Sequence, residues 1–295
     1  MNGLVLAADV KAQLGEGPVW HPEEQALYWV DIDGKRLYRY DPADGSVTHQ
    51  TFGIKIGAAV PCRGGGFLLA MQDGIYRLRT FGESEPKLAA RPAEIHGGLR
   101  FNDGKCDPQG RFWAGTMTHG SGPSGQGTLY RIGSDLEPVP MVRGVSISNG
   151  LAWDAARRIM YFIDTPTQKV AAYDYDPETG DIANRRDVVH IAKEDGAPDG
   201  MCIDEEGKLW VAHWGGGHVI RYDPATGEKL ERIAVPAALC TSCAFGGPEW
   251  DELYITTARV GRTEEQLVAE PAAGGLFRIR LSVRGVPTTL FEFEE

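Results

Sequence analysis

The chain has 295 residues with 38 Gly, 18 Pro and an ordinary apolar fraction, a composition of a folded, loop-rich protein that excludes a disordered or fibrous one. Its formal net charge is −11 and its Lys and Arg residues form no block, which excludes nucleic acid as an expected partner. No run approaches about 18 apolar residues, so neither a membrane-crossing helix nor a membrane partner is expected.

The first residues, "MNGLVLAADVKAQ", carry no basic leader region, and their apolar run is too short for a secretion signal. Five Cys is an odd count without framework spacing, which fits a reducing compartment, and a cytoplasmic location is the expectation. From residue 14 a three-part pattern repeats. The first unit opens on "EGPVW" at Glu16, passes the turn residues "HPEEQ" into "LYWVDI" at Leu27, and continues into "RLYRYDP" at Arg36. The second holds "IGAAV" at Ile56, "FLLAM" at Phe67 and "GIYRL" at Gly74. The third holds "NDGKC" at Asn102, "FWAGTM" at Phe112 and "TLYRI" at Thr128. The fourth holds "NGLAW" at Asn149, "MYFIDT" at Met160 and "VAAYDYDP" at Val170. The fifth holds "DGMCI" at Asp199, "LWVAHW" at Leu209 and "HVIRYDP" at His218. The sixth holds "TSCAF" at Thr241, "LYITTA" at Leu253 and "GLFRI" at Gly275.

A further extended run, such as "VTHQTF" at Val47 or "DVVHIA" at Asp187, closes many of these units. The unit is therefore about four antiparallel strands recurring every ~40–50 residues, the signature of a propeller blade. The predicted fold is all-β: a six-bladed β-propeller of four-stranded antiparallel blades, forming one domain over residues 1–295. Either "LVLAADV" near the start or "TTLFEFE" near the end supplies the strand that closes the ring. "TEEQLVAE" at Thr263 reads as a short helix on a loop. Cys240 and Cys243 of "CTSC" have no second pair or His following them and are read as ordinary semi-buried thiols. Trp20, Trp113 and Trp210 are expected to pack between blades, and Trp214 to line the pocket.

The first strand of each blade lines the axial channel. Its opening residues in the six units are Glu16, Ile56, Asn102, Asn149, Asp199 and Thr241. Asn-Gly and Asp-Gly alone are turn dipeptides. Aligned around one ring, four of six positions carry Asp, Glu or Asn, and two carboxylates in a narrow channel raise each other's pKa unless a cation lies between them. Glu16, Asn149 and Asp199 offer hard oxygen donors, which suits Ca²⁺, Mg²⁺ or Mn²⁺, with Zn²⁺ and Fe²⁺ as borderline alternatives. Gly17, Gly150 and Gly200 let the backbone approach closely.

The stretches "LGEGPVWHP", "RFNDGKCDPQGRFWAGTM", "SNGLAWD", "PDGMCIDEEGKLWVAHWGGG" and "FGGPEWDELYITTAR" closely resemble the regucalcin and gluconolactonase family, also called the senescence marker protein family. They lie in family order over residues 14–259, and the bacterial sugar lactonases look nearest in style. The resemblance implies a six-bladed propeller that binds one divalent ion through Glu16, Asn149 and Asp199. It carries substrate contacts onto Arg100 and Asn102, and it makes Asp199 the proposed general base, with an ion-activated water as the alternative. Several animal members place a Glu after "GTM"; here the loop reads "THGSGPSGQG", with His119 as a candidate substrate contact and residues 118–127 as a candidate lid. The expected activity is hydrolysis of a sugar-derived lactone such as xylono-, arabinono-, galactono- or gluconolactone. The alternatives are a non-catalytic Ca²⁺- or sugar-binding propeller and a hydrolase of other esters or organophosphates. A monomer or weak homo-oligomer is expected. No G-x-S-x-G elbow, P-loop or dinucleotide fingerprint is present.

Overall fold

The structure is a computed structural model that describes residues 3–95, 98–119 and 124–293. Short runs rich in Val, Ile, Leu and aromatic residues, separated by Gly, Pro and Asp turns, favour strands joined by hairpins. They form six four-stranded antiparallel sheets. Blade one runs Gly15–His21, Ala26–Asp31, Arg36–Tyr40 and Val47–Thr51, each strand pairing with the next. Blades two to five repeat this order from the inner strands Ile56–Pro61, Leu99–Cys106, Ser148–Asp154 and Ala197–Ile203. Blade six contributes Cys240–Gly246, Glu252–Thr257 and Leu276–Arg280, and takes its outermost strand, Val5–Ala8, from the other end of the chain. The N-terminal run therefore closes the ring. The inner strands contact one another in a closed cycle from blade one through blade six and back, giving a six-bladed β-propeller.

The apolar core lies between blades, where facing sheets bury their side chains. Trp20, Trp113 and Trp210 are fully buried there, as expected. The "DP" and "DE" turns after the third and fifth inner strands explain part of this packing. Asp107 accepts the Trp113 indole N–H at 3.0 Å and Arg111 Nε at 2.7 Å. Asp204 likewise accepts from Trp210 at 2.9 Å and Arg221 Nε at 2.8 Å. A buried indole donor and a buried carboxylate thus satisfy each other.

The C-terminal run serves a different purpose from strand closure. Val286 N–H donates to Ile203 O, and five residues later Phe291 N–H donates to Pro61 O at 2.9 Å. The intervening chain crosses the lower end of the axial channel from blade five to blade two. It bounds a cavity of about 100 Å³ whose other walls include Asp103, Lys105, Cys202 and Ser242. The helix expected near Thr263 is present as Glu264–Ala269, capped reciprocally by Thr263 and Gln266. All five cysteines are free and buried. Cys243 faces Cys202 of the neighbouring blade, with Sγ atoms 3.6 Å apart, rather than Cys240. Among the described residues no helix is long and apolar enough to cross a membrane.

Candidate active site

Each inner strand carries one irregularity near its start, where one extra residue disrupts the ladder and re-aims a side chain. In blades three, four and five the displaced pairs are Asn102 and Asp103, Asn149 and Gly150, and Asp199 and Gly200. In blade six the displaced residue is Thr241, and in blade one the break follows Glu16. These are the positions aligned by the repeat: in blades three to six the bulge turns the ring residue out of the ladder, while Glu16 pairs with Val30 immediately before its break.

Blade two departs from the expectation. Ile56 pairs with Met71 as Gly15 pairs with Asp31 and Ser148 with Asp164, so Ile56 lies one place too early. Gly57 occupies the ring position, and a Cβ there would collide with the Asn102 carbonyl oxygen. Blade two thus contributes no side chain to the ring. Thr241 contributes none of its donors to the axis either: its hydroxyl bonds Gly15 O and Thr256 Oγ1.

The remaining ring side chains converge. Glu16, Asn102, Asn149 and Asp199 are each no more than 5% exposed. Asn102 Nδ2 donates to Asn149 Oδ1 at 3.1 Å and to Ser148 O at 2.9 Å, linking blades three and four. Arg100 Nη1 donates to Asn102 Oδ1 at 2.7 Å. The Glu16 and Asp199 carboxyls lie near each other in the channel, each acting on the other's protonation. Gly17 takes φ +51°, a left-handed turn that glycine accepts readily, and its N–H donates to Glu16 Oε2 at 2.9 Å.

The electrostatics follow from this burial. Desolvation raises the Glu16 carboxyl to about 8, the Asp103 charge adds to the rise, and the Gly17 N–H and Arg100 oppose it. Asp199 is held well above its ordinary value by desolvation and then by the charges of Glu16 and Asp103. Burial lowers Arg100, and Asp33, ahead of Glu16 and Asp199, is the carboxylate that opposes the loss of its proton. Two carboxyls buried in one channel, each raised above its ordinary value, are the arrangement a hard cation relieves. The donor set of Glu16, Asp199 and the Asn149 amide oxygen fits such an ion.

Two residues at this site were not singled out by the sequence pattern. Thr165 Oγ1 donates to Pro198 O at 2.9 Å and accepts Asn149 Nδ2 at 2.8 Å, which turns the Asn149 oxygen toward the axis. Asp103, 5% exposed and directly below Asn102, is raised by burial and countered by Lys105 and the Gly104 N–H. His119, by contrast, is exposed; its backbone N–H donates to Gly98 O at 2.8 Å, and no described contact joins its ring to Arg100 or Asn102. Residues 120–123 of the candidate lid lie outside the described residues. Trp214 is half-buried and bridges to Leu239 at the same end of the channel.

The sequence pattern described as the SMP-30/Gluconolactonase/LRE-like region matches residues 14–259. The chain belongs to this family. Within the SMP-30/gluconolactonase family it is 44% identical over 281 residues to the candidate sugar lactone lactonase YvrE of Bacillus subtilis (strain 168), covering 95% of this chain and 96% of that one. It is 41% identical over 284 residues to regucalcin of Xenopus laevis, covering 95% of each. A solved family structure, the calcium-binding protein regucalcin from Agrobacterium tumefaciens str. C58, superposes with a TM-score of 0.92 at 28% identity, over 98% of this chain and 97% of that one. The family read from the quoted motifs is thereby borne out, and so is the six-bladed fold.

Proposed function

We propose that this lactone-hydrolysing enzyme acts on a sugar-derived lactone in sugar catabolism, with a divalent ion held by Glu16, Asn149 and Asp199. The observation that carries the reading is the burial of the Glu16 and Asp199 carboxyls in one channel beside an Arg100–Asn102–Asn149 hydrogen-bonded chain. An ion in that place supplies polarisation of the lactone carbonyl and stabilisation of the developing oxyanion.

The chain's own residues do the rest. Arg100 retains N–H donors beyond those bonded to Asn102 and Phe101, and these hold ring or hydroxyl oxygens of the lactone by charge-assisted bonds. Asn102, tied to both Arg100 and Asn149, fixes the orientation of that clamp and so the approach of the ester carbon. Asp199, in its carboxylate form, accepts the proton of the attacking water. It then returns a proton to the ring oxygen as the ester C–O bond breaks and the aldonic acid forms.

The test is hydrolysis of a lactone panel before and after chelation, alongside Asp199→Asn. Loss of turnover on chelation, with recovery on adding Ca²⁺ or Mn²⁺, and a fall of at least about a hundredfold in the variant are expected. Full activity in both the stripped protein and the variant would sink the reading. The described relative that is a calcium-binding protein favours a second reading, ion binding without turnover. That reading predicts calorimetric binding of Ca²⁺ and no hydrolysis anywhere in the panel.

A further inference from the structure

The row of residues two places before the ring is uniform in its backbone and uneven in its chemistry. The carbonyls of Leu14, Lys55, Ile147 and Leu239 accept from the N–H groups of Ile32, Gln72, Thr165 and Ala258. Arg100 and Ala197 occupy the same register opposite Met117 and Trp214. In blade two this place is held by Lys55, immediately before the inner strand Ile56–Pro61. In this row four members are apolar and two are cationic. The two cations, Lys55 and Arg100, stand on adjacent blades.

Lys55 is not a free surface charge. Its Nζ bonds Asp33 Oδ1 of blade one at 2.6 Å, and the two side chains are only 23% and 29% exposed. Asp33 is also the carboxylate that most supports the Arg100 charge, so pair and guanidinium share one field. The mutual bond of Asp33 and Lys55 ties blade one to blade two, with Asp33 near enough to Arg100 to support its charge. The pair presents remaining N–H donors on Lys55 and an acceptor on the second Asp33 oxygen. A hydroxyl group both donates and accepts, and neighbouring hydroxyls match such a pair; an anionic group would meet Asp33 repulsively.

Resting on the lactone reading above, we propose that Lys55 and Asp33 form a specificity subsite that holds the exocyclic hydroxyls of the lactone while Arg100, oriented by Asn102, holds its ring. A site built to bond hydroxyls discriminates strongly against an analogue that lacks them, because its polar groups are left unpaired. The subsite therefore favours lactones with a hydroxylated tail over the bare ring.

The experiment compares galactono-1,4-lactone, which carries a two-hydroxyl tail, with erythrono-1,4-lactone, which carries none. Wild type, Lys55→Met and Asp33→Asn are measured with both. In both variants the ratio of the two kcat/KM values should shift against the tailed lactone by about tenfold or more, expressed mainly in KM. Equilibrium binding of the two corresponding 1,4-lactams, whose amides do not open, is read by calorimetry and should show the same shift in the ratio of Kd values. If wild type opens no lactone, the functional reading fails, and the lactam ratios still decide the subsite. An equal change for both probes, no change for either, or wild type that does not prefer the tailed lactam overturns the proposal.

Discussion

Thr165 has one hydroxyl proton, donated to Pro198 O, so it can only accept from Asn149, and that leaves the Asn149 oxygen for the axis. Thr165→Val should therefore weaken Ca²⁺ or Mn²⁺ binding by about tenfold, in the range seen when outer partners of a ligand are removed, while Thr165→Ser restores it. Calorimetric titration of the three proteins checks this. Glu16→Gln keeps the shape and removes a charge from the same cluster; ion affinity should fall by on the order of a hundredfold and turnover with it, and normal affinity would remove Glu16 from the proposed donor set. Glu16, Asn149 and Asp199 were legible because six copies of one strand can be aligned, and a polar residue repeated at one row of an apolar strand has no packing purpose. Thr165 and Asp103 were not legible. Thr165 opens the 3-10 turn that follows the second strand of blade four, and its role depends on a bond to blade five. Asp103 followed by Gly104 has the look of a turn, and only the bulge in the strand puts it under Asn102. His119 shows the converse: a loop histidine's direction is set by the loop, which the side chain itself does not encode.

At the level of elements, the blades were legible because turn residues punctuate every hairpin and because the inner strands are apolar without interruption. Their closure was not. Both chain ends carry short apolar runs of strand composition, and which of them pairs depends on where the ends arrive in space. Val5–Ala8 pairs with Leu276–Arg280, while the later run crosses beneath the channel and pairs with Pro61 and Arg63 of blade two. The blade-two shift from Ile56 to Gly57 has a similar origin. "IG" matches "EG" in sequence, but in register the glycine falls one place earlier. If the N-terminal strand completes blade six, deleting residues 1–9 should leave an open sheet edge and uncover part of the core around Leu276 and Phe277. A loss of roughly 2–4 kcal/mol is expected from the exposed apolar surface, seen as a melting temperature lower by about 3–7 °C. An unchanged melt would mean that the ring holds without this strand.

The whole molecule brings Glu16 from blade one against Asp199 from blade five, so closing the ring forces two carboxyls together, and pH should read out that closure. Glu16 ordinarily titrates at 4.5 and is raised to about 8 in the fold by burial first and Asp103 second. Between those values the ion-free folded chain holds a proton that the unfolded chain has released. Stability then falls as pH rises, because the slope follows the protons bound unfolded minus those bound folded. The contribution is complete below about pH 4.5 and is gone above about pH 8. A bound divalent ion takes the place of that proton, so its affinity should rise with pH over the same window and level off beyond it. Melting curves at pH 5, 6, 7 and 8, with chelator and with saturating Ca²⁺ or Mn²⁺, test both halves together. The ion-free melting temperature should decline across the series, and the separation between the two curves should widen. Calorimetry at pH 7 should also register protons released on ion binding, in an amount that shrinks as pH passes 8. Glu16→Gln, having no proton to lose at that position, should flatten the ion-free trend. A separation that stays constant from pH 5 to 8 would mean that the ion does not displace the proton held between these two blades.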